Sequence, residues 1–363
     1  MMFWAALSAL AVSFFLSAMA TSLAKRVSVR LNMLDVPGRH KAHGEPTPLL
    51  GGTAIFATIA GLSVFGLALA RIWAATSPPE FLRDVLAIHI PGAARRAPQG
   101  LGILAGAAIL HVLGLIDDKR GLGPWLKLLV QVLVAAGVVV FFDVRVAHHW
   151  GTAVSVILTT LWIVAITNSF NFLDNMDGLA AGVGAIAGFA LLAAAAGMGQ
   201  VFVPAWLCVL VGALLGFLVH NFPPARIFMG DAGSLVVGYL LAVLSCLTTY
   251  TTGRQDAVEI LYGVLAPVLM MAIPLYDTLS VMVIRISEGR NPMIGDTRHF
   301  SHRLRRRGMS KRRTVLTIYL CTATTAMAAS LLPHVESVLA AVMLVAQVVF
   351  ILLIIALLES AER

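Results

Sequence analysis

Charge is what this chain has least of. Asp, Glu, Lys and Arg make up 12% of its 363 residues, whereas 59% are hydrophobic. A soluble domain carries about 25% charged residues. The shortage excludes an ordinary globular enzyme and points to an all-α polytopic membrane protein, for which counting domains by length does not apply. Cysteine is scarce as well. Cys208, Cys246 and Cys321 are far apart, lie in apolar runs and match no metal spacing, so neither a disulfide framework nor a zinc site is expected. No Lys or Arg precedes the first apolar run, residues 3–24, whereas Lys25 and Arg26 follow it. Ala18-Met19-Ala20 resembles a signal-peptidase site, but this order of charge fits an uncleaved first span with its N-terminus outside. No internal repeat stands out, so the usual mark of an inverted-repeat transporter is missing.

What the chain has instead is apolar runs. Ten more follow, at about 50–70, 99–116, 124–142, 152–168, 179–198, 203–220, 233–252, 258–284, 314–332 and 335–358. Each approaches the roughly 20 residues a spanning helix needs. The expectation is about 11 transmembrane helices, N-terminus out and C-terminus in, with residues 1–363 forming a single membrane domain. Counting Lys and Arg tests the orientation. The segments assigned to the cytoplasm hold 20, ten of them between Arg285 and Arg313, and the outer segments hold 6. The net charge of +8 is therefore mostly topology plus one basic loop, residues 285–313. No nucleic-acid partner is expected.

The unusual polar residues all fall on the cytoplasmic side of this scheme. Asp117 and Asp118 end the third span. Asn168, Asn171, Asp174 and Asp177 join the fifth to the sixth, His220, Asn221, Arg226 and Asp231 join the seventh to the eighth, and Arg298, His299, His302 and Arg303 lie in the basic loop. Positions spaced by three drift about 60° per step around a helix, so Asn168 to Asp177 cannot share one face. The helix is expected to end near Asn171, with Asp177 as an N-cap for the sixth span. Three helix N-termini, at Gly123-Pro124, Asp177-Gly178 and Asp231, would then face one pocket and offer N–H groups to phosphate. The carboxylates do not suit bare phosphate. They do suit Mg²⁺, a hard cation held by one or two carboxylates together with substrate phosphates. His111 reads as a packed, hydrogen-bonded residue, and Asp277 as a partner for Arg285 or the basic loop. Gly51-Gly52 would permit close backbone approach.

Five ordered motifs carry a resemblance. They are Asp35-Val36-Pro37, Lys41-Ala42-His43, Pro46-Thr47-Pro48 and Gly51-Gly52; Gly114-Leu115-Ile116-Asp117-Asp118 with Gly123-Pro124, Lys127 and Gln131; Asn168, Asn171, Asp174 and Asp177-Gly178-Leu179; His220-Asn221 with Arg226 to Ser234; and Arg298-His299 with His302-Arg303-Leu304. Together they span residues 34–304, and the two C-terminal spans, 314–358, carry none. The chain resembles the polyprenyl-phosphate N-acetylhexosamine-1-phosphate transferases. That resemblance implies a cytoplasmic-face cleft in the cell (inner) membrane and a requirement for Mg²⁺, with Mn²⁺ as a substitute. It implies a UDP-sugar donor, an undecaprenyl phosphate acceptor, UMP as leaving product and a cell-envelope polysaccharide begun. It leaves a homodimer open.

The same resemblance makes Asp231 the leading metal ligand, with Asn171 as the second candidate. It places Asp117, Asp118 and Lys127 at the phosphates. Asn168, Asn171, Asp174, Asp177 and Asn221 would line the nucleotide pocket. Lys41, Arg298, His299, His302 and Arg303 would serve the diphosphate or sugar. Three departures stand out. Asn175 replaces a common Gly, Ser301 replaces a third His, and Leu49-Leu50 replaces Thr-Met. The last favours the UDP-N-acetylglucosamine branch over the phospho-N-acetylmuramoyl-pentapeptide branch. A membrane transporter of an anionic solute is the alternative from a different class.

Overall fold

The structure, a computed structural model, describes residues 2–35, 46–80, 83, 86–146, 150–250, 257–290 and 298–360. Lys41, assigned above to substrate, lies outside the described residues. The helices are α1 (Met2–Arg30), α2 (Gly51–Thr76), α3 (Ile90–Arg95), α4 (Ala97–Arg120), α5 (Pro124–Phe141), α6 (Thr152–Leu173), α7 (Leu179–Gly197), α8 (Phe202–Asn221), α9 (Asp231–Leu247), α10 (Ala257–Met270), α11 (Ala272–Ser287), α12 (Phe300–Arg306), α13 (Lys311–Leu331) and α14 (Val338–Ser360). A two-residue antiparallel pair, Leu34–Asp35 with Thr47–Pro48, closes the connection between α1 and α2.

Every one of the eleven apolar runs is helical, but two differ from the straight spans expected. Among the described residues nine helices are long and apolar enough to cross a membrane, or ten if one bent pair is a single span. That pair is the run at 258–284, which breaks between α10 and α11 with a bend of 73°. Proline is the physical reason. Pro274 has no N–H to give the carbonyl of Met270, and its ring crowds that turn. The other is α9, only 17 residues long. It sits at the centre, packed by α2, α4, α6, α7 and α8, and every residue from Ala232 to Cys246 is buried. Large apolar side chains on the surrounding helices, such as Phe15, Trp125, Phe141 and Phe350, point outward instead. This is the pattern of a bundle whose solvent is hydrocarbon.

Backbones come very close where α2 meets α9. Gly51 and Gly52 donate their N–H groups to the carbonyls of Phe228 (3.0 Å) and Met229 (2.9 Å). A side chain on Gly52 would collide with the backbone of Gly233. The start of α2 is thereby fixed to the loop that leads into α9, and this loop carries the site.

Candidate active site

The end of α4, the starts of α5, α7 and α9, and the ends of α6 and α8 meet at one end of the bundle. Lys127, one turn into α5, places its Nζ between two carboxylates. It lies 2.7 Å from Asp117 Oδ2 and 3.0 Å from Asp231 Oδ2. Asp117 Oδ1 accepts from the Leu122 N–H at 2.5 Å, so both of its oxygens are engaged. Asp118 faces the other way. Its oxygens accept from the backbone N–H groups of Asp231 (2.8 Å) and Ala232 (3.2 Å). Asp118 thus caps α9 and holds Asp231 at its first turn. Gly230, with φ of 68°, makes the turn, and any side chain there would press on the Asp118 carboxylate.

Buried N–H groups must find acceptors, and this alters the anion-site expectation. At α9 the first N–H groups go to Asp118. At α7 the Gly178 N–H goes to Asn221 Oδ1 at 2.9 Å. Two of the three N-termini expected to face phosphate are therefore already filled by side chains. The α6 helix runs on to Leu173, two residues beyond the expected end. Nor is Asp177 an N-cap. Gly178 takes that position, with φ of 75°, and the Asp177 carboxylate accepts from Ala225 N–H (3.2 Å) and Lys311 Nζ (3.3 Å).

The remaining candidates separate into two groups. Asn171 comes to the carboxylates. Its Nδ2 donates to Ser234 Oγ at 3.0 Å, which leaves the carbonyl oxygen as its ligand atom. Asp174 also arrives there, receiving the Gly230 N–H. Burial raises the Asp174 pKa to about 8, helped by the charges of Asp231, Asp118 and Asp177. Other candidates are engaged with partners within the protein. Asn168 donates to Gln131 Oε1 (2.5 Å), and Asn221 donates to the Ile227 carbonyl (2.8 Å). Arg298 pairs with Glu288. Arg303 gives one Nη to Glu359 (2.8 Å) and Ser280 (2.7 Å) and the other to the Arg298 carbonyl (2.6 Å).

His299 is buried at the start of α12, where Asp277 accepts from its Nδ1 (2.9 Å) and from the Phe300 N–H (2.6 Å). The His299 ring lies 6.2 Å from that of Phe172, near the end of α6. Burial lowers the His302 pKa to about 4, and the charges of His299, Arg305 and Arg306 add to the effect. His302 is thus a neutral ring near pH 7. His111 is packed as expected, stacked on Phe56 with Nδ1 2.9 Å from the Ala232 carbonyl oxygen.

Among the described residues no three His, Cys, Asp or Glu form a ready-made metal cluster. The residues nonetheless fit a divalent cation. Asp231, Asp174 and the Asn171 carbonyl offer hard oxygen atoms, and the repulsion acting on Asp174 marks a place short of positive charge. Mg²⁺ typically keeps several water or phosphate ligands, so an incomplete protein shell is the usual state of such a site.

A family model described as "Glycosyl transferase family 4" matches residues 100–249, the stretch that holds Asp117, Asp118, Lys127, Asn171, Asp174, Asp177 and Asp231. The chain is 33% identical over 311 residues to a Bacillus subtilis (strain 168) protein named "Probable undecaprenyl-phosphate N-acetylglucosaminyl 1-phosphate transferase", covering 83% of this chain and 77% of that one. The chain belongs to glycosyl transferase family 4. A Mycolicibacterium smegmatis protein named "Decaprenyl-phosphate N-acetylglucosaminephosphotransferase" is 34% identical, with 83% of this chain and 75% of that one covered. An Escherichia coli (strain K12) protein named "Undecaprenyl-phosphate alpha-N-acetylglucosaminyl 1-phosphate transferase" is 25% identical, with 83% and 76% covered. The transporter alternative is thereby set aside.

In this family 4 enzyme, several residues that aim the others carry no signal of it in the sequence. Ser234 orients Asn171, Lys311 reaches Asp177 and Ser301 reaches Asn175 in the loop after α6, whereas Asp277, expected as a partner for Arg285 or the basic loop, does pair with His299 of that basic loop. Lys311 sits in a basic run with nothing local to set it apart. Only the return of α13 to the site shows its partner.

The raised Asp174 pKa predicts a pH effect on the protein without metal or substrate. The folded state binds an extra proton between the unfolded value near 3.9 and about 8. The stability linked to that proton is complete below the lower value and is lost as pH rises through about 8. His302, lowered to about 4, acts in the opposite sense below about 6.5 and contributes nothing above it. Between pH 6.5 and 8 the thermal midpoint in EDTA is therefore expected to fall. Asp174→Asn should make that slope shallower. Differential scanning fluorimetry in detergent reads both, and an equally steep slope in the variant overturns the assignment.

Proposed function

We propose that this enzyme transfers N-acetylglucosamine-1-phosphate from UDP-N-acetylglucosamine to undecaprenyl phosphate or a related polyprenyl phosphate. UMP is released and a cell-envelope polysaccharide is begun. The chain would act as a single unit, N-terminus out, with the site at the cytoplasmic face of the cell membrane. The observation that carries the reading is the pair of carboxylates, Asp117 and Asp231, held either side of the Lys127 ammonium in a family whose relatives bear these activities in their names. The excess of Lys and Arg on the site side supports the orientation.

In the reaction a lipid phosphate oxygen attacks the phosphorus that bears the sugar. The bond from that phosphorus to the bridging oxygen breaks, and UMP leaves with that oxygen. Catalysis of this kind is mostly positioning and neutralisation of charge. Mg²⁺, when bound by Asp231, Asn171 and Asp174, supplies Lewis-acid neutralisation of the diphosphate. Lys127 adds a fixed positive charge beside it. Asp118 and Gly230 set the direction of Asp231. Neutral His302 and the Asp277-bound His299 offer ring nitrogens toward the sugar-phosphate side.

Asp117 acts as a positioning group. Both oxygens are engaged, and a phosphate monoester with a second pKa of about 6 is mostly dianionic at pH 7, so a base would gain little. Asp117→Asn should therefore lose rate by a similar factor at every pH from 6 to 9. Recovery of the rate toward pH 9 would make Asp117 a base.

The deciding assay is UMP release from a panel of UDP-sugars, including the UDP-muropeptide, with undecaprenyl phosphate and Mg²⁺. Release with UDP-N-acetylglucosamine in preference to the others is expected. Release with the muropeptide alone overturns the proposed donor.

A further inference from the structure

The loop after α6 and the short helix α12 are joined by side chains that have no place in the mechanism above. Ser301, buried in the first turn of α12, donates its hydroxyl to Asn175 Oδ1 at 2.5 Å. Asn175 in turn donates its Nδ2 to the Phe172 carbonyl at 2.7 Å. The two residues are separated by 126 positions in the chain. One neighbour of each matters to the chemistry. Asp174 precedes Asn175 and reaches the Gly230 N–H beside Asp231. His299 lies two residues before Ser301, and His302 directly after it.

We propose that Asn175 and Ser301 form a latch that fixes α12, with His299 and His302, against the carboxylate loop, and that it thereby sets the fit of the UDP-sugar donor. Both are positioning residues. The inference rests on the donor reading above. Its physical basis is that α12 is short and carries Arg303, Arg305 and Arg306, with Arg307 directly after it, like charges that repel one another. Asp277 holds α12 to α11, and Glu359 holds it to α14 through Arg303. The Ser301 hydroxyl is a polar link that ties α12 to the turn between Asp174 and Asp177. A hydroxyl and an amide carbonyl form a short, directional bond, so the spacing between Asp174 and His299 is set more tightly than apolar packing alone would set it.

The test is a double-mutant cycle with Ser301→Ala, Asn175→Ala and the pair, plus Ser301→Thr. UMP release is measured with UDP-N-acetylglucosamine and undecaprenyl phosphate varied in turn. Each single variant is expected to raise KM for the UDP-sugar about 3- to 10-fold, the effect of one lost hydrogen bond, with kcat and the lipid KM little changed. The double variant should be no worse than Asn175→Ala, which already removes the Ser301 contact along with the Asn175–Phe172 one. Ser301→Thr keeps the hydroxyl and should return KM to near the wild-type value. Additive losses, equal losses for both substrates, or no effect overturn the latch. The same cycle on thermal midpoints needs no substrate, and additive shifts there also overturn it. Wild-type protein that releases no UMP from UDP-N-acetylglucosamine would instead refute the donor reading, leaving the thermal cycle to judge the contact by itself.

Discussion

Asp231→Asn is expected to slow UMP release by roughly 10²- to 10³-fold, the range seen when one group aimed at developing charge is removed. Its fold should survive. Asparagine is nearly the same size, and the contact that holds the start of α9 is made by the backbone N–H of residue 231 to Asp118, which the substitution leaves in place. The change is therefore the loss of one negative charge beside Asp174 and Lys127. Two readouts separate this from general damage. The thermal midpoint should change little. The fall in stability between pH 6.5 and 8 should become shallower, because the Asp231 charge is the largest charge effect acting on Asp174. Wild-type rates at low Mg²⁺ would remove Asp231 from the metal site and with it the proposed mechanism.

Lys127→Met is expected to cost about as much in rate, for a different reason. The ammonium stands between Asp117 and Asp231, and removing it leaves the two carboxylates facing each other. These side chains are 11–26% exposed, so water screens them in part. An effective dielectric constant near 20 applies, and each attraction is about 4 kcal/mol at 4 Å before desolvation is subtracted. Lys127→Arg should not restore the rate, since a planar fork does not replace a compact ammonium between two oxygens. The informative measurement is the Mg²⁺ concentration at half-maximal rate. With a resident cation gone the site is more negative, so this concentration should fall although the maximal rate falls too. A rise would mean that lysine and metal do not share these carboxylates.

The apolar runs were legible because period and length suffice to define a helix in lipid. The break at Met271 is not legible in the same way, although Pro267 and Pro274 stand in the run at 258–284. Apolar composition alone does not distinguish a straight span from a bent one. At the site, Asp117, Lys127, Asn171, Asp174 and Asp231 could be grouped because carboxylates and amides are costly beside hydrocarbon. Which of the polar residues turn to partners within the protein could not be read the same way. Asp118, Asp177, Asn168 and Asn221 have the same chemistry as the residues that reach the centre, and only the direction of each side chain shows that they satisfy a backbone or side-chain partner. Lys311 and Glu359 act through contacts that close 134 residues back and 56 residues back, to Asp177 and Arg303. No local pattern carries such pairs.

The enclosure of α9 has a consequence for how the enzyme meets membranes of different thickness. A helix in contact with acyl chains answers a thinner or thicker bilayer by tilting or by distorting the lipid around it. The helix that bears Asp231 is sheathed by its neighbours along its whole length, so it has no lipid to answer to. Mismatch would be taken up by the outer ring, α1, α5 and α14 foremost, and catalytic rate should vary little across vesicles of differing acyl-chain length.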